Sequence, residues 1–353
     1  MGDGISCSIW DRTLVTMLAV VLLANAPTII HADDSVYMGD GYHVYPIQNS
    51  DVQLVAETIV ITDSYAFRDG PRFGSDRFTI NVDMTFKNQG PDTTLQMGFP
   101  IIIVYRDSES IEIKTNFRTW VNGKEVAITR KQGMPNPLKE DMDFSKTVYT
   151  YTVSFKKGET KKIKHSYNVG GTDFNTGRWE LEYILRTGAL WKGRIEDFSL
   201  TYKTHLAKAK NIIGFRPREQ RAVLKGNALD LLWNFKNYKP KKDFLVVGGA
   251  TDINPTLLVE SSLSEDMKAI ASDPTTRNLL SPEDLRYAKN KVFASYGYPF
   301  KSPFVRAQFY YPGSSYKESA SFSEKKISKE HLAYVEFLSK LEVDKLKEED
   351  IKR

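Results

Sequence analysis

Between residues 52 and 249 apolar and polar positions alternate with a period of two, the pattern of strands half-buried against a core. In "RFTINVDMTF" the residues Phe78, Ile80, Val82, Met84 and Phe86 share one face; in "RWELEYIL" Trp179, Leu181, Tyr183 and Leu185 do the same. Asn122-Gly123, between the alternating arms of "IEIKTNFRTWVNGKEVAI", predicts a two-residue hairpin, because its turn requires positive φ at both positions. "VYTYTVSFKKGETKKIKHSYNV" predicts a second hairpin turning at Lys157-Gly158, and "IEDFSLTYKT" and "ALDLLWNF" add strands. No long helical pattern interrupts them, so parallel βαβ units are not expected. The fold class expected is mainly β: an antiparallel β-sandwich, one large or two Ig-like in tandem, followed by a small α-helical C-terminal domain. The Pro-bearing stretch 133–141 offers a break between two sandwiches.

After residue 255 the period changes. "SLSEDMKAIASD" reads as a short helix within a linker, 256–278. In the stretch beginning "LLSPEDLRYAKNKVFASYGYPF", Ser281 is placed as an N-cap and Pro282 at the first helical position. Glu283 and Asp284 then favour the positive end of the helix dipole. Leu285, Ala288, Val292 and the small Ser295 follow at helical spacing, and Gly297 ends the helix. Ser302-Pro303 starts another turn. Ser328 caps a last helix, with Ile327 and Leu332 as a hydrophobic staple and Leu332, Val335, Leu338 and Leu341 as its buried face. The organisation expected is a leader over 1–32, a β region over 33–255, the linker, a helical domain over 279–342 and a charged, fraying tail over 343–353.

Composition narrows the function classes. The 353 residues are 41% apolar and 26% charged, which fits a folded chain, and the net charge of +5 is spread among charges of both signs, which excludes a dedicated nucleic-acid binder. Residues 13–30 are uncharged and largely apolar, between Arg12 and Ala32; they read as a signal peptide cleaved near Ala32. The length and Pro27 argue against a membrane span, and no later run is long enough for one, so an exported chain without a transmembrane span is expected. The single cysteine, Cys7, lies in the leader, so the mature chain has no disulfide, thiolate ligand or thiol nucleophile. His43, His165, His205 and His331 fall in no metal-binding spacing, and neither metal nor cofactor is expected. Ser154 with Lys157, Ser166 and Arg186 echo the motif order of penicillin-binding enzymes, but strand positions i and i+3 point to opposite faces, so Ser154 and Lys157 cannot act together.

The helical stretch resembles the YARHG domain, a small module of bacterial exported proteins named after a five-residue motif. The matching positions are Leu285-Arg286, Ala288, Asn290, the motif itself at Phe293-Ala294-Ser295-Tyr296-Gly297, the aromatics Tyr298 and Phe300, and the run Tyr310-Tyr311-Pro312. Ser295 stands where the motif has arginine and Tyr296 where it has histidine. The β region is similar to domain of unknown function 4424, through its strand pattern and "YILRTGALWKGRIEDFSLTYK". Neither resemblance implies a catalytic mechanism; both imply an envelope or extracellular setting.

Candidate binding residues follow. Arg286 and Asn290 lie one turn apart on one helix face, either as a ligand-contacting pair or, more simply, with Asn290 bonded to backbone and Arg286 to Glu283 or solvent. Tyr296 and Tyr298 are candidates to line a groove. Trp191, in the turn "TGALWKG", would suit carbohydrate stacking if exposed and would be a core plug if buried. Lys156, Lys157, Lys161, Lys162 and Lys164 cluster on the second predicted hairpin, for edge protection or for contact with an anionic polymer or lipid surface. The function expected is non-catalytic binding of a cell-wall component or an envelope protein. The alternatives are an envelope hydrolase using two of Asp141, Asp143, Glu180 and Glu182, and a structural or assembly protein.

Overall fold

The computed structural model of the chain describes residues 35–38, 43–63, 77–101, 103–106, 109–112, 114–133, 147–170, 172–173, 178–249 and 280–351. The expected leader, nearly all of the proline-bearing break at 133–141, the linker helix, Asp141 and Asp143 lie outside the described residues.

The strands run in chain order as β1 (Ser35–Met38), β2 (His43–Ile47), β3 (Val52–Asp63), β4 (Phe78–Asn88), β5 (Thr93–Ile101), β6 (Ile103–Arg106) and β7 (Glu109–Glu112). They continue as β8 (Lys114–Val121), β9 (Lys124–Glu125), β10 (Thr129–Gly133), β11 (Thr147–Phe155), β12 (Thr160–Val169) and β13 (Thr172–Asp173). Then follow β14 (Arg178–Tyr183), β15 (Ile195–His205), β16 (Ile212–Arg216), β17 (Arg221–Lys225), β18 (Ala228–Tyr238) and β19 (Phe244–Gly249). Among the described residues three α-helices come last: α1 (Pro282–Ser295), α2 (Pro303–Phe309) and α3 (Lys329–Ile351).

A sheet of eight strands, in the order β17-β18-β15-β3-β4-β12-β8-β9, runs through the whole β region. A closed barrel, β1-β2-β10-β11-β5, packs against one half of its inner face and a four-stranded sheet, β13-β14-β19-β16, against the other. The architecture is thus two sandwiches that share one long sheet. They join where β3 and β15 pair in parallel, with Ile59 opposite Leu200, among otherwise mostly antiparallel ladders. On the barrel side Phe99 meets Phe117 at 4.8 Å and Tyr167 at 5.1 Å, around a fully buried His165 whose Nδ1 lies 2.9 Å from Thr119 Oγ1. On the other side Phe78 meets Trp179 at 5.6 Å, and Phe215 meets Tyr202 at 5.2 Å. The inward residues of β4 are the five that the alternation picks out, all buried. Asn122 and Gly123 do form the hairpin turn between β8 and β9, with φ of 49° and 79°.

The second predicted hairpin is not one. β11 pairs with β5 and β10, whereas β12 pairs with β4 and β8, so residues 156–159 carry the chain from the barrel to the long sheet. The link from β4 to β5 makes the same crossing beside it. Asn88, fully buried, locks the two crossings: its Nδ2 donates to Pro91 O (2.6 Å) and Lys156 O (3.2 Å), and its carbonyl accepts from Gly158 N at 3.0 Å. A hairpin and such an arch share turn residues and alternation; only the identity of the strand across the core separates them.

The helices complete the second sandwich. Leu285, Ala288 and Val292 of α1 pack on Tyr334, Leu338 and Leu341 of α3. Ser281 and Asp284 make the reciprocal capping box that the sequence predicts at the start of α1. α1 and α2 also cover β16, the edge strand of the four-stranded sheet. Gln308 Nε2 donates to Ile212 O at 2.6 Å and Ile213 O at 3.2 Å, and Phe304 rests on Phe215 with centroids 5.3 Å apart. An edge that would otherwise present unpaired carbonyls is thereby closed. Three details differ from expectation. Leu332 is 43% exposed and Tyr334 takes the inner position, since the face that meets α1 runs through 334, 338 and 341. Ser295 is exposed rather than part of the stripe. α3 continues to Ile351 instead of fraying after 342, with Lys345 buried along it.

Gly297 ends α1 at φ +74°, and a Cβ there would sit 2.7 Å from Ser319 Cβ and 2.9 Å from Lys317 O. Gly297→Val combines a left-handed backbone with a clash against backbone. A loss of about 2–4 kcal/mol in urea unfolding is expected.

Candidate functional site

The family-motif residues are mostly engaged in holding the helices together. Arg286 pairs not with Glu283 but with Glu342: its Nε and a terminal nitrogen donate to Glu342 Oε1 at 3.0 and 2.7 Å, tying α1 to α3. Lys289 joins it on the other oxygen of Glu342. Tyr296 Oη lies 2.6 Å from His331 Nδ1 and accepts from Ser328 N at 3.2 Å, so it pins the start of α3 to the end of α1. Tyr298 packs its ring on Phe293, Phe300 and Phe322 and accepts on its carbonyl from Tyr310 Oη. Asn290 sits half-buried on α1. Four residues singled out as ligand contacts therefore share one short segment, but three of them are spent on its packing.

Burial works against the charge of Glu342, but the hydrogen bond from Lys289 and the charge of Arg286 outweigh it and hold the carboxyl below its usual value of 4.5. A depressed carboxyl contributes stability above its unfolded value and loses it as pH falls through the folded one. Unfolding followed at a series of pH values should therefore show an acid-side loss beginning below about pH 4.5, and Glu342→Gln should flatten it.

Trp191 is buried on Phe86, with ring centroids 4.6 Å apart. A stacking platform for carbohydrate at that position is ruled out, because its faces are covered by core. The turn that carries it, Arg186–Leu190, is held by buried Asp243, which accepts from Leu185 N (2.9 Å) and Arg186 N (3.1 Å) and pairs with Arg186 Nε at 2.6 Å.

The five lysines separate. Lys156 pairs with Asp92 at 2.9 Å and Lys161 with Glu159 at 2.8 Å, both at the crossing between sheets. Lys157 lies in that crossing, where its backbone N–H donates to Asp92. Lys162 and Lys164 project from the outer face of β12. Edge protection does not explain them, because β12 lies inside the long sheet between β4 and β8. Neither makes an ion pair with any described residue.

These two lysines line a groove of about 480 Å³ on the outer face of the long sheet, together with Trp120 of β8, Asp83 and Thr85 of β4 and Thr58 of β3. Register builds the row: Trp120 is opposite Lys164, Lys164 opposite Asp83, and Asp83 opposite Thr58. The Asn122-Gly123 turn closes one end. Arg118 lies over the Trp120 ring at 4.9 Å and is fixed there by donating Nε to Glu125 Oε1 at 2.9 Å. Lys164 Nζ reaches the same ring at 6.0 Å. The arrangement offers one half-buried indole, two ammonium groups, one carboxylate acceptor and threonine hydroxyls on a rigid support. Of these, the sequence alone picks out only the lysines. The outward position of Trp120 was readable from Phe117 and Thr119 facing in, but the neighbours across the strands were not.

Glu180 and Glu182 lie on the side of β14 opposite buried Trp179, Leu181 and Tyr183. No described helix is long and apolar enough to cross a membrane.

Comparison with known proteins bears on the same segments. No curated protein matches the chain. Among solved structures, a Legionella pneumophila protein provisionally ascribed to nutrient binding is 20% identical, with a TM-score of 0.48 over 88% of this chain and 99% of its own. An M1 zinc metallopeptidase of Deinococcus radiodurans is 12% identical, with a TM-score of 0.31 over 57% of this chain and 43% of its own. Legionella pneumophila aminopeptidase A is 11% identical, with a TM-score of 0.31 over 57% of this chain and 22% of its own. Residues 170–247, from β13 into β19, match the domain of unknown function DUF4424. By sequence, the helical segment is a match to the YARHG domain over residues 261–343, and the second sandwich to DUF4424, in agreement with the motifs around Gly297 and residues 183–203.

Proposed function

We propose that this chain is an exported, non-catalytic binding protein of the bacterial envelope, and that the outer face of its long sheet holds a cell-wall component. The groove at Trp120, Lys162 and Lys164 is the observation that supports it most: it gathers an indole, two lysines that make no ion pair with a described residue, a carboxylate and threonine hydroxyls on one sheet face. The match to the YARHG domain and the apolar leader-like residues 13–30 support the exported setting. The helical segment serves this role by closing the β region.

Co-sedimentation of the protein with purified cell-wall sacculi tests it. Pelleting at low ionic strength, weakened as salt is raised, is expected for a site built on two exposed ammonium groups. Failure to pellet at low salt would contradict the proposal.

A further inference from the structure

The groove has a chemistry more definite than binding in general. Resting on the binding role proposed above, we infer that its ligand is an acidic saccharide: a sugar carrying a carboxylate, seated with a ring against Trp120, its carboxylate between Lys162 and Lys164, and its hydroxyls on Asp83, Thr58 and Thr85. The row from Trp120 to Thr58 crosses three strand intervals, about 14 Å at the usual spacing, which suits an extended chain of sugars better than a single small ion. Lys162 and Lys164 are two residues apart on one strand, so their ammonium groups emerge side by side and can share one anion through charge-assisted hydrogen bonds. Asp83 stands beside them and accepts hydrogen bonds only, which fits a hydroxyl donor and repels a uniformly anionic surface. Trp120 supplies an apolar plane whose position is set by Arg118 and Glu125, so little order is lost on binding.

Lipid is the weaker occupant. Electrostatic attachment to an anionic membrane takes clusters of about four to eight basic residues on an exposed surface. Here two lysines sit with an acid in a groove.

Calorimetry of the full chain with trigalacturonate, and with its methyl-esterified uncharged form, tests the inference; vesicles containing phosphatidylserine are a third probe. The acid form should bind, the ester should bind at least about tenfold more weakly, and Lys162→Ala/Lys164→Ala should remove that difference. Trp120→Ala should weaken both forms. The three side chains changed lie on the outer face of the sheet, and an unchanged melting temperature shows that the variants fold. Equal binding of acid and ester would overturn the acidic assignment while a positive sacculus result kept the binding role. Binding to vesicles without binding to either saccharide would overturn the assignment in favour of lipid. Loss of sacculus binding in the wild type would remove the binding role itself.

Discussion

Glu283→Ala should destabilise the protein by about 3–5 kcal/mol, the range seen when one partner of a buried ion pair is removed. Glu283 is 1% exposed and Arg216 12% exposed at their side chains, and the two meet through a pair of hydrogen bonds, the longer 3.0 Å. Alanine would take away both hydrogen bonds that Glu283 accepts from the largely desolvated Arg216 guanidinium. The cost comes from a buried charge that loses a carboxylate, so replacing both residues by apolar ones, Arg216→Met with Glu283→Leu, should cost less than Glu283→Ala alone. Urea unfolding of the single and double variants decides it. A Glu283→Ala loss under about 1 kcal/mol would show that the pair is water-exposed in solution.

Phe304→Ala should cost about 3–5 kcal/mol, as truncation of a buried phenylalanine does. Phe304 touches Phe215, which lies 5.4 Å from Trp233 and 6.2 Å from Phe244 in the second sandwich. The readout matters as much as the size. The five tryptophans, Trp10, Trp120, Trp179, Trp191 and Trp233, all precede the helices. A tryptophan-monitored transition therefore reports the β region, yet it should shift when a residue of α2 is changed. An autonomous helical domain would leave that transition where it was, because sites without shared contacts act additively and separately. A large share of a typical stability of about 5–15 kcal/mol rests on this junction.

That junction is also where the sequence is least informative. Alternation placed Phe78 to Phe86 and Trp179 to Tyr183 inside, and the cap at Ser281 and the stop at Gly297 were readable because they depend on residues a few positions away. Glu283 was readable only as a favourable charge at a helix start. Its actual partner lies 67 residues earlier, and nothing local announces it. The same limit explains the arch at residues 156–159 and the central place of β12: which strand lies across the core is a non-local fact. In the candidate site, the outward direction of Lys162, Lys164 and Trp120 follows from alternation. Their convergence follows from the β12–β8 and β12–β4 registers, which the sequence does not state. Arg286 misled for a related reason. A cation on a helix face looks available until the third helix brings Glu342 against it.

The central claim is a division of labour: the helical segment closes the β region, and binding occurs on the outer face of the long sheet. Sacculus co-sedimentation of Trp120→Ala beside Asn290→Ala tests it most directly, since each changes a half-buried residue of one candidate surface. Trp120→Ala should stay in the supernatant while Asn290→Ala pellets like the wild type, both with wild-type melting temperatures. Loss of pelleting in Asn290→Ala with retention in Trp120→Ala would place the binding surface on the helices and contradict the account.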